Sequence, residues 1–183
     1  MKTSKAHAAT KKRPDFGRYC RLVDLYVACL KHARAHHDAA TALLDAGFVS
    51  QAYAIAFTGW EEIGKAQIVA DFANGMAAES EYDEAFRSHG LKVAYNSRRF
   101  ELNVADIPAS IIKYELASAK HLFEARQRAL YVGKDDKDGP ILPDTEIPRD
   151  AVEKAIKQLT RELDNIDMQD AISERIGSAS FLK

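Results

Sequence analysis

The chain has 183 residues, of which 46% are apolar, so it is long enough to bury the core of one domain or one long helical bundle. Its 26 basic and 27 acidic side chains leave a net charge of −1, which excludes a strong overall attraction to nucleic acid. No apolar stretch approaches the length of about 18 residues that is needed to cross a bilayer. We therefore expect no membrane partner.

Residues 1–14 form a basic leader that lacks the apolar segment of a secretory signal, and we expect it to be flexible. Residues 15–183 are predicted to form a single domain. Cys20 and Cys29 lie nine residues apart in one predicted helix, so their Cα atoms are about 13 Å apart, too far for a disulfide. Two free thiols favour a reducing compartment, and the chain is predicted to be cytoplasmic.

Helical spacing of apolar residues continues through nearly the whole chain, and no stretch shows the alternation of a strand. The first helix is predicted to begin after Asp15, a good N-cap residue, and to stop at Gly47. The second is predicted from Val49 to near Gly75. Because this second helix is apolar almost all the way round, we expect it to be buried at the centre of the fold.

A third helix is predicted to follow Ser80, with Asp83 as its capping partner, and to run to about residue 103. The fourth is predicted over residues 108–132. Residues 133–147 contain Gly139, Pro140 and Pro143 and are predicted to be a loop. A fifth helix opens with Pro148. The pattern indicates an all-α bundle of about five helices.

Charged residues interrupt the apolar faces of three of these helices. In the second helix, Glu61, Glu62 and Lys65 project from one side. Buried charges must be paired, so these groups need partners from other helices. The apolar stripes of the third and fourth helices carry four suitable side chains, namely His89, Lys92, Glu115 and Arg126. We predict that they meet the charges of the second helix in one polar site, which is either a structural salt-bridge network or a functional pocket.

Three blocks of sequence in this order resemble the hallmark blocks of the AbiV family of abortive-infection, anti-phage proteins. They are residues 60–66 (WEEIGKA), 88–92 (SHGLK) and 126–132 (RQRALYV), and the resemblance spans roughly residues 26–163. It implies a HEPN-like helical bundle that commonly forms a homodimer. Many HEPN proteins are metal-independent ribonucleases, so the resemblance also implies RNA as a partner and no cofactor.

The resemblance assigns a site to six residues of this chain, which are Glu62, Lys65, His89, Lys92, Arg126 and Tyr131. In a ribonuclease, His89 would be the acid or base, and Lys92 and Arg126 would bind the phosphate. Tyr131 would contact base or phosphate. Glu61 and Glu115 are expected to support the site.

Two functional hypotheses stay open at this point. The first is a phage-defence protein that shuts down translation by attacking RNA, which the charges on the core stripes favour. The second is a non-catalytic helical module that binds a phage or translation-related protein. It is favoured because this chain lacks the HEPN nuclease pattern, in which four to six residues separate an arginine from a following histidine.

A zinc site is a third alternative. Cys29, His32 and His36 share one side of the first helix, with a spacing that could serve zinc together with a ligand from elsewhere. That side lies opposite the apolar stripe, so we expect these residues to form solvated surface or a subunit contact. No Glu-x-x-His pair of the kind that holds two metal ions in helical bundles occurs. We therefore predict no resident metal.

Overall fold

The computed structural model describes residues 14–93 and 121–172, with side chains up to Ile166. The predicted all-α bundle is confirmed. Its labelled helices are α1 (Phe16–Asp45), α2 (Val49–Ala73), α3 (Glu79–Arg87), the short α4 (Pro143–Glu146) and α5 (Arg149–Ile172). Two further stretches, residues 89–93 and 121–130, are also helical.

The first two helices agree with the sequence prediction. Asp15 caps α1 by accepting a hydrogen bond from the backbone N–H of Arg18 at 2.8 Å. Gly47 turns the chain with φ of +88°, a conformation that glycine adopts without a Cβ clash. Because only three residues separate α1 from α2, the two helices form a tight hairpin. As expected, α2 is central, with 18 of its 25 residues buried.

α5 lies across this hairpin and closes the main core. Its apolar side is buried at Val152, Leu159, Leu163 and Ile166. Burial of such side chains contributes about 1.5–3 kcal/mol each, so packing rather than helix propensity holds the bundle together. None of the described helices is long and apolar enough to cross a membrane.

The third predicted helix differs from the structure in two ways. Its N-cap is Ala78 rather than Ser80. The capping partner is therefore Glu81 rather than Asp83, and the side chain of Glu81 accepts a hydrogen bond from the backbone N–H of Ala78 at 2.7 Å. The helix also does not run unbroken to residue 103. It ends at Arg87, Ser88 is extended, and a new helical turn starts at His89.

The loop predicted between residues 133 and 147 contains a small antiparallel hairpin and α4. Strands β1 (Gly133–Lys134) and β2 (Pro140–Ile141) pair with Gly133 opposite Ile141. The carboxylate of Asp135 closes the turn by accepting hydrogen bonds from the backbone N–H groups of Lys137 and Gly139, at 2.8 and 2.7 Å. The predicted fourth helix ends at Leu130. Its residues 108–120 lie outside the described residues, and so do residues 1–13 of the leader.

Candidate functional site

The charged residues of α2 lie at the centre of a group of ionisable side chains from three helical segments. Six side chains make up what we call the ionic cluster, namely Glu61, Glu62, Lys65, His89, Lys92 and Arg126. Three of them are almost fully buried, with exposures of 4% for Glu61, 7% for Glu62 and 6% for Lys92. Ions so far from water need partners, and the structure provides them.

His89 contacts α2 directly. Its Nδ1 lies 2.7 Å from Oε1 of Glu61, while 46% of the side chain remains exposed. A carboxylate can only accept, so Nδ1–H is the donor, and in the neutral imidazole Nε2 is left with a lone pair. The ring also stacks on Phe123, with centroids 5.4 Å apart and planes inclined by 27°. These two contacts fix both the tautomer and the plane of an accessible histidine.

The break after α3 places His89 in this position. Ser88 has extended backbone angles, φ −95° and ψ 116°, and its Oγ accepts a hydrogen bond from the backbone N–H of Leu91 at 3.3 Å. Ser88 therefore caps the helical segment 89–93, and His89 is the first residue of that segment. If α3 had continued through Ser88, His89 would lie on the axis of α3. Because of the break, His89 lies on the axis of a separate helical segment.

Gly64 lets this segment lie directly against α2. A Cβ at position 64 would be only 1.9 Å from the carbonyl oxygen of Lys92. The backbones of α2 and segment 89–93 thus approach more closely than any residue other than glycine permits. This contact brings Lys92 into the ionic cluster.

Lys92 is the buried cation of the cluster. Burial lowers its pKa, and the positive charges of Lys65 and Arg126 act in the same direction, whereas Glu61 and Glu62 raise it. Lys92 therefore lies within electrostatic range of both carboxylates and both other cations. A lysine with a lowered pKa among charged partners is typical of functional sites and also occurs in structural networks.

Arg126 joins the cluster from the helical segment 121–130. Its guanidinium carbon lies 5.7 Å from the ring centroid of Phe57 on α2, a cation–π contact. Its Nε is buried and has no hydrogen-bond partner among the described residues. Three residues earlier in the same segment, Phe123 stacks on His89, so segment 121–130 supports the histidine and contributes a cation.

Glu62 points to a different part of the protein from Glu61, although the sequence analysis placed both on one side of α2. Its Oε1 accepts a hydrogen bond from Nζ of Lys65 at 2.5 Å and lies 3.8 Å from Nδ1 of His32 on α1. Cys29 also faces it. Burial, followed by the charge of Glu62, raises the pKa of the Cys29 thiol to about 11. Successive helical residues are about 100° apart, which sends the two glutamates to different neighbours.

Cys29 therefore corrects one expectation for α1. Its side was predicted to be solvated, but Cys29 is only 5% exposed and packs toward α2, because α2 and α3 cover that face. The rings of His32 and His36 are 4.4 Å apart, and burial together with His32 lowers the pKa of His36. No three His, Cys, Asp or Glu side chains of the described part of the chain are arranged as metal ligands.

Two predicted site residues are not joined to the cluster by any contact that the structure describes. The side chain of Tyr131 is 64% exposed, and no hydrogen bond, ion pair or ring contact links it to the cluster within the described ranges. Glu115 lies outside the described residues. Their roles stay predictions.

The sequence analysis missed one buried ion. Glu162 on α5 is 3% exposed, and its Oε2 has no hydrogen-bond partner in the described part of the chain. Burial raises its pKa to about 7. A signal was present in the sequence, because Glu162 stands three residues after Leu159 and four before Ile166, on the apolar face of the helix.

The described residues thus form an all-α bundle with buried ionic groups between its helices. The model of the HEPN AbiV family, described as AbiV, matches residues 21–163, and the chain belongs to this family. Family membership indicates a role in abortive infection, a form of phage defence. Comparisons with curated proteins and with solved structures gave no match.

Proposed function

We propose that this AbiV-family protein shuts down translation in infected cells by metal-independent cleavage of RNA at the ionic cluster. The observation that carries the proposal is the geometry of His89. It is an exposed histidine whose Nδ1 is held by the buried carboxylate of Glu61 and whose Nε2, in the neutral ring, carries a lone pair that can take a proton. The two free cysteines are consistent with action in the cytoplasm, which we include in the proposal.

The proposed reaction begins with Nε2 of His89 taking the proton of a ribose 2′-hydroxyl. The 2′-oxygen then attacks the adjacent phosphorus, a 2′,3′-cyclic phosphate forms, and the bond to the 5′-oxygen breaks. The leaving 5′-oxygen takes a proton from solvent. Lys92 and Arg126 stabilise the negative charge that develops on the phosphate, while Glu61 stabilises the imidazolium. Glu62 and Lys65 act on the site only through their charges, which lie within electrostatic range of Lys92.

Replacing His89 with alanine should abolish RNA cleavage, because it removes the base. The free energy of unfolding should also fall, by about 1–3 kcal/mol, because the buried carboxylate of Glu61 loses the hydrogen bond from His89, so the variant must be shown to be folded at the assay temperature. Wild-type and H89A proteins are to be incubated with total RNA, with and without a chelator, and the products separated on a denaturing gel. The thermal midpoints of both proteins are measured in parallel.

His121→Ala is the matched control, because His121 is an 83% exposed histidine on the segment that carries Arg126. It should cleave RNA like the wild type. Equal cleavage by H89A and wild type would refute the role of His89, and dependence on the chelator would refute the metal-independent reaction.

A second candidate function rests on exposed apolar residues beside the β-hairpin. Leu130, Tyr131, Val132 and Leu142 are 41%, 64%, 63% and 52% exposed. Large exposed apolar side chains that lie close together are typical of protein-binding surfaces. Under this alternative the chain binds a phage or translation-related protein without catalysis. Tyr131→Ser would then abolish phage protection in cells while the purified protein cleaves no RNA.

We also propose that the chain forms a homodimer, as the family resemblance implies. Light scattering on the purified protein should give twice the chain mass of 20.3 kDa. A mass equal to that of one chain, at the concentration used for the RNA assay, would contradict this.

A further inference from the structure

The three helical segments that supply the ionic cluster also share a small apolar cluster. Its four side chains come from α2 and from segments 89–93 and 121–130, and they are Phe57, Val93, Leu122 and Phe123. Phe57 and Val93 are buried, with exposures of 4% and 1%, and the other two pack against them. The larger apolar cores of the bundle are built from other residues. The small apolar cluster therefore joins the three segments whose charges meet in the proposed site.

Helical spacing places an aromatic ring of this cluster beside an ion on two of the segments. On α2, Phe57 lies four residues before Glu61. In segment 121–130, Phe123 lies three residues before Arg126. Side chains three or four residues apart on a helix share one face, so each of these segments presents a ring and an ion to its neighbours.

Each ring contacts a nitrogen-bearing group that another segment supplies. Phe123 stacks on the imidazole of His89, with ring centroids 5.4 Å apart. The ring centroid of Phe57 lies 5.7 Å from the guanidinium carbon of Arg126. The face of an aromatic ring attracts a cation over a range of about 6 Å. Arg126 is a cation, and His89 becomes one when it takes a proton, so both rings stabilise positive charge at the site.

The hydrogen bond to Glu61 does not by itself fix the direction in which Nε2 of His89 points. It holds Nδ1 at 2.7 Å from the carboxylate, but the imidazole can still rotate about that contact. A second contact on the face of the ring removes this freedom, and the stack on Phe123 is such a contact. The restraint matters for a reaction, because a displacement of about 1 Å can slow catalysis about a hundredfold.

We propose that Phe57 and Phe123 are positioning residues, which hold Arg126 and His89 in a fixed arrangement because the two rings belong to one packed cluster. Phe123 acts on His89 directly. Phe57 acts on Arg126 directly, and it acts on His89 through the packing of Phe123 in the cluster. The role of the rings in cleavage rests on the proposed function, whereas their hold on His89 can be measured without RNA.

NMR of the full chain labelled with 15N-histidine measures this hold. The ring nitrogens of His89, assigned by comparison with the H89A protein, show which nitrogen carries the proton in the neutral imidazole. The wild type should show Nδ1–H, together with Overhauser contacts between the rings of His89 and Phe123. In Phe123→Leu and in Phe57→Leu the Nε2–H tautomer should appear, because an imidazole that has lost its support leaves Glu61 for part of the time.

Cleavage kinetics measure the effect on the reaction. Leucine is apolar and of similar size but has no flat face, so kcat of Phe123→Leu should fall about tenfold or more. KM should change by less than about twofold, because the contact of Phe123 is with the proposed base. Phe123→Tyr keeps the ring, so its kcat should stay within about twofold of the wild-type value.

Phe72→Leu is the matched control. Phe72 stacks on Tyr82, with centroids 4.6 Å apart and planes inclined by 27°, and its ring centroid lies 4.7 Å from the guanidinium carbon of Arg18. The substitution therefore removes a stack and a cation–π contact of the same kind in another part of the bundle. It should lower the thermal midpoint, since Phe72 is buried, but leave the tautomer of His89 and kcat unchanged.

A wild-type tautomer in either ring variant, or an equal loss of kcat in Phe72→Leu and Phe123→Leu, overturns the proposal. If the wild type cleaves no RNA, the proposed function fails, and the tautomers of the variants still decide whether the rings hold His89. Thermal midpoints show whether each variant is folded. If a ring variant does not fold, the Overhauser contacts of the wild type decide instead, because their absence would show that the two rings are not stacked.

Discussion

Replacing Gly64 with alanine is expected to lower the free energy of unfolding by about 3 kcal/mol, the upper part of the range for overpacked cores. The added Cβ would lie 1.9 Å from the carbonyl oxygen of Lys92 and 2.7 Å from its carbonyl carbon. Both are backbone atoms, so no side-chain rotation relieves the clash. The helical segment 89–93 must therefore move away from α2. Urea denaturation of both proteins measures the loss.

The same substitution in segment 89–93 itself is the control. Among the described residues, a Cβ at Gly90 would meet only Oγ of Ser88, at 4.0 Å, so Gly90→Ala should be neutral or stabilise the protein by up to about 1 kcal/mol. Because segment 89–93 carries His89 and Lys92, Gly64→Ala should also lose the RNA cleavage proposed above, whereas Gly90→Ala should keep it. Equal stability of the two variants would show that α2 and the segment are not in close contact.

The boundaries of α1 and α2 follow from local signals that the sequence displays. Asp15 is a strong N-cap, and the glycines at positions 47 and 75 adopt the left-handed φ that ends a helix, +88° and +70°. The break at Ser88 could not be predicted in the same way. A serine inside an apolar pattern is compatible with a continuous helix and also with an N-cap that starts a new one. The packing of segment 89–93 against Gly64 decides between these two structures.

The sequence indicated that His89, Lys92 and Arg126 lie near the charges of α2, but it did not indicate how the side chains are arranged. Charges on apolar stripes identify His89, Lys92 and Arg126, because an unpaired ion cannot remain in a core. Which carboxylate meets which partner depends on helix rotation, which the sequence does not fix to better than a residue or so. That is why Glu61 and Glu62 appeared equivalent, and why Cys29 was placed on the solvated side of α1.

The buried Glu162 should make the protein less stable as pH rises from about 4.5 to about 7. Burial raises its pKa to about 7 in the folded chain, whereas an unfolded glutamate has a pKa of 4.5. Below pH 4.5 the Glu162 carboxyl is protonated in the folded and the unfolded state, so its burial does not lower the free energy of unfolding. Between these two values the folded state keeps a proton that the unfolded state has lost, so stability falls with rising pH. Above pH 7 the full cost is about 3 kcal/mol.

Glu162→Gln removes this charge while keeping the shape of the side chain. The variant should be more stable than the wild type by up to about 3 kcal/mol at pH 8, and by less than about 1 kcal/mol at pH 5. Urea denaturation at the two pH values gives both differences. Asp164→Asn is the control, because Asp164 lies two residues further along on the exposed side of α5, and its stability should equal that of the wild type at both pH values. A Glu162→Gln protein that is less stable at pH 8 would mean that the carboxylate is ionised and paired with a cation. That result would make Glu162 a buried ion pair instead of a protonated acid, and the direction of its pH dependence would reverse.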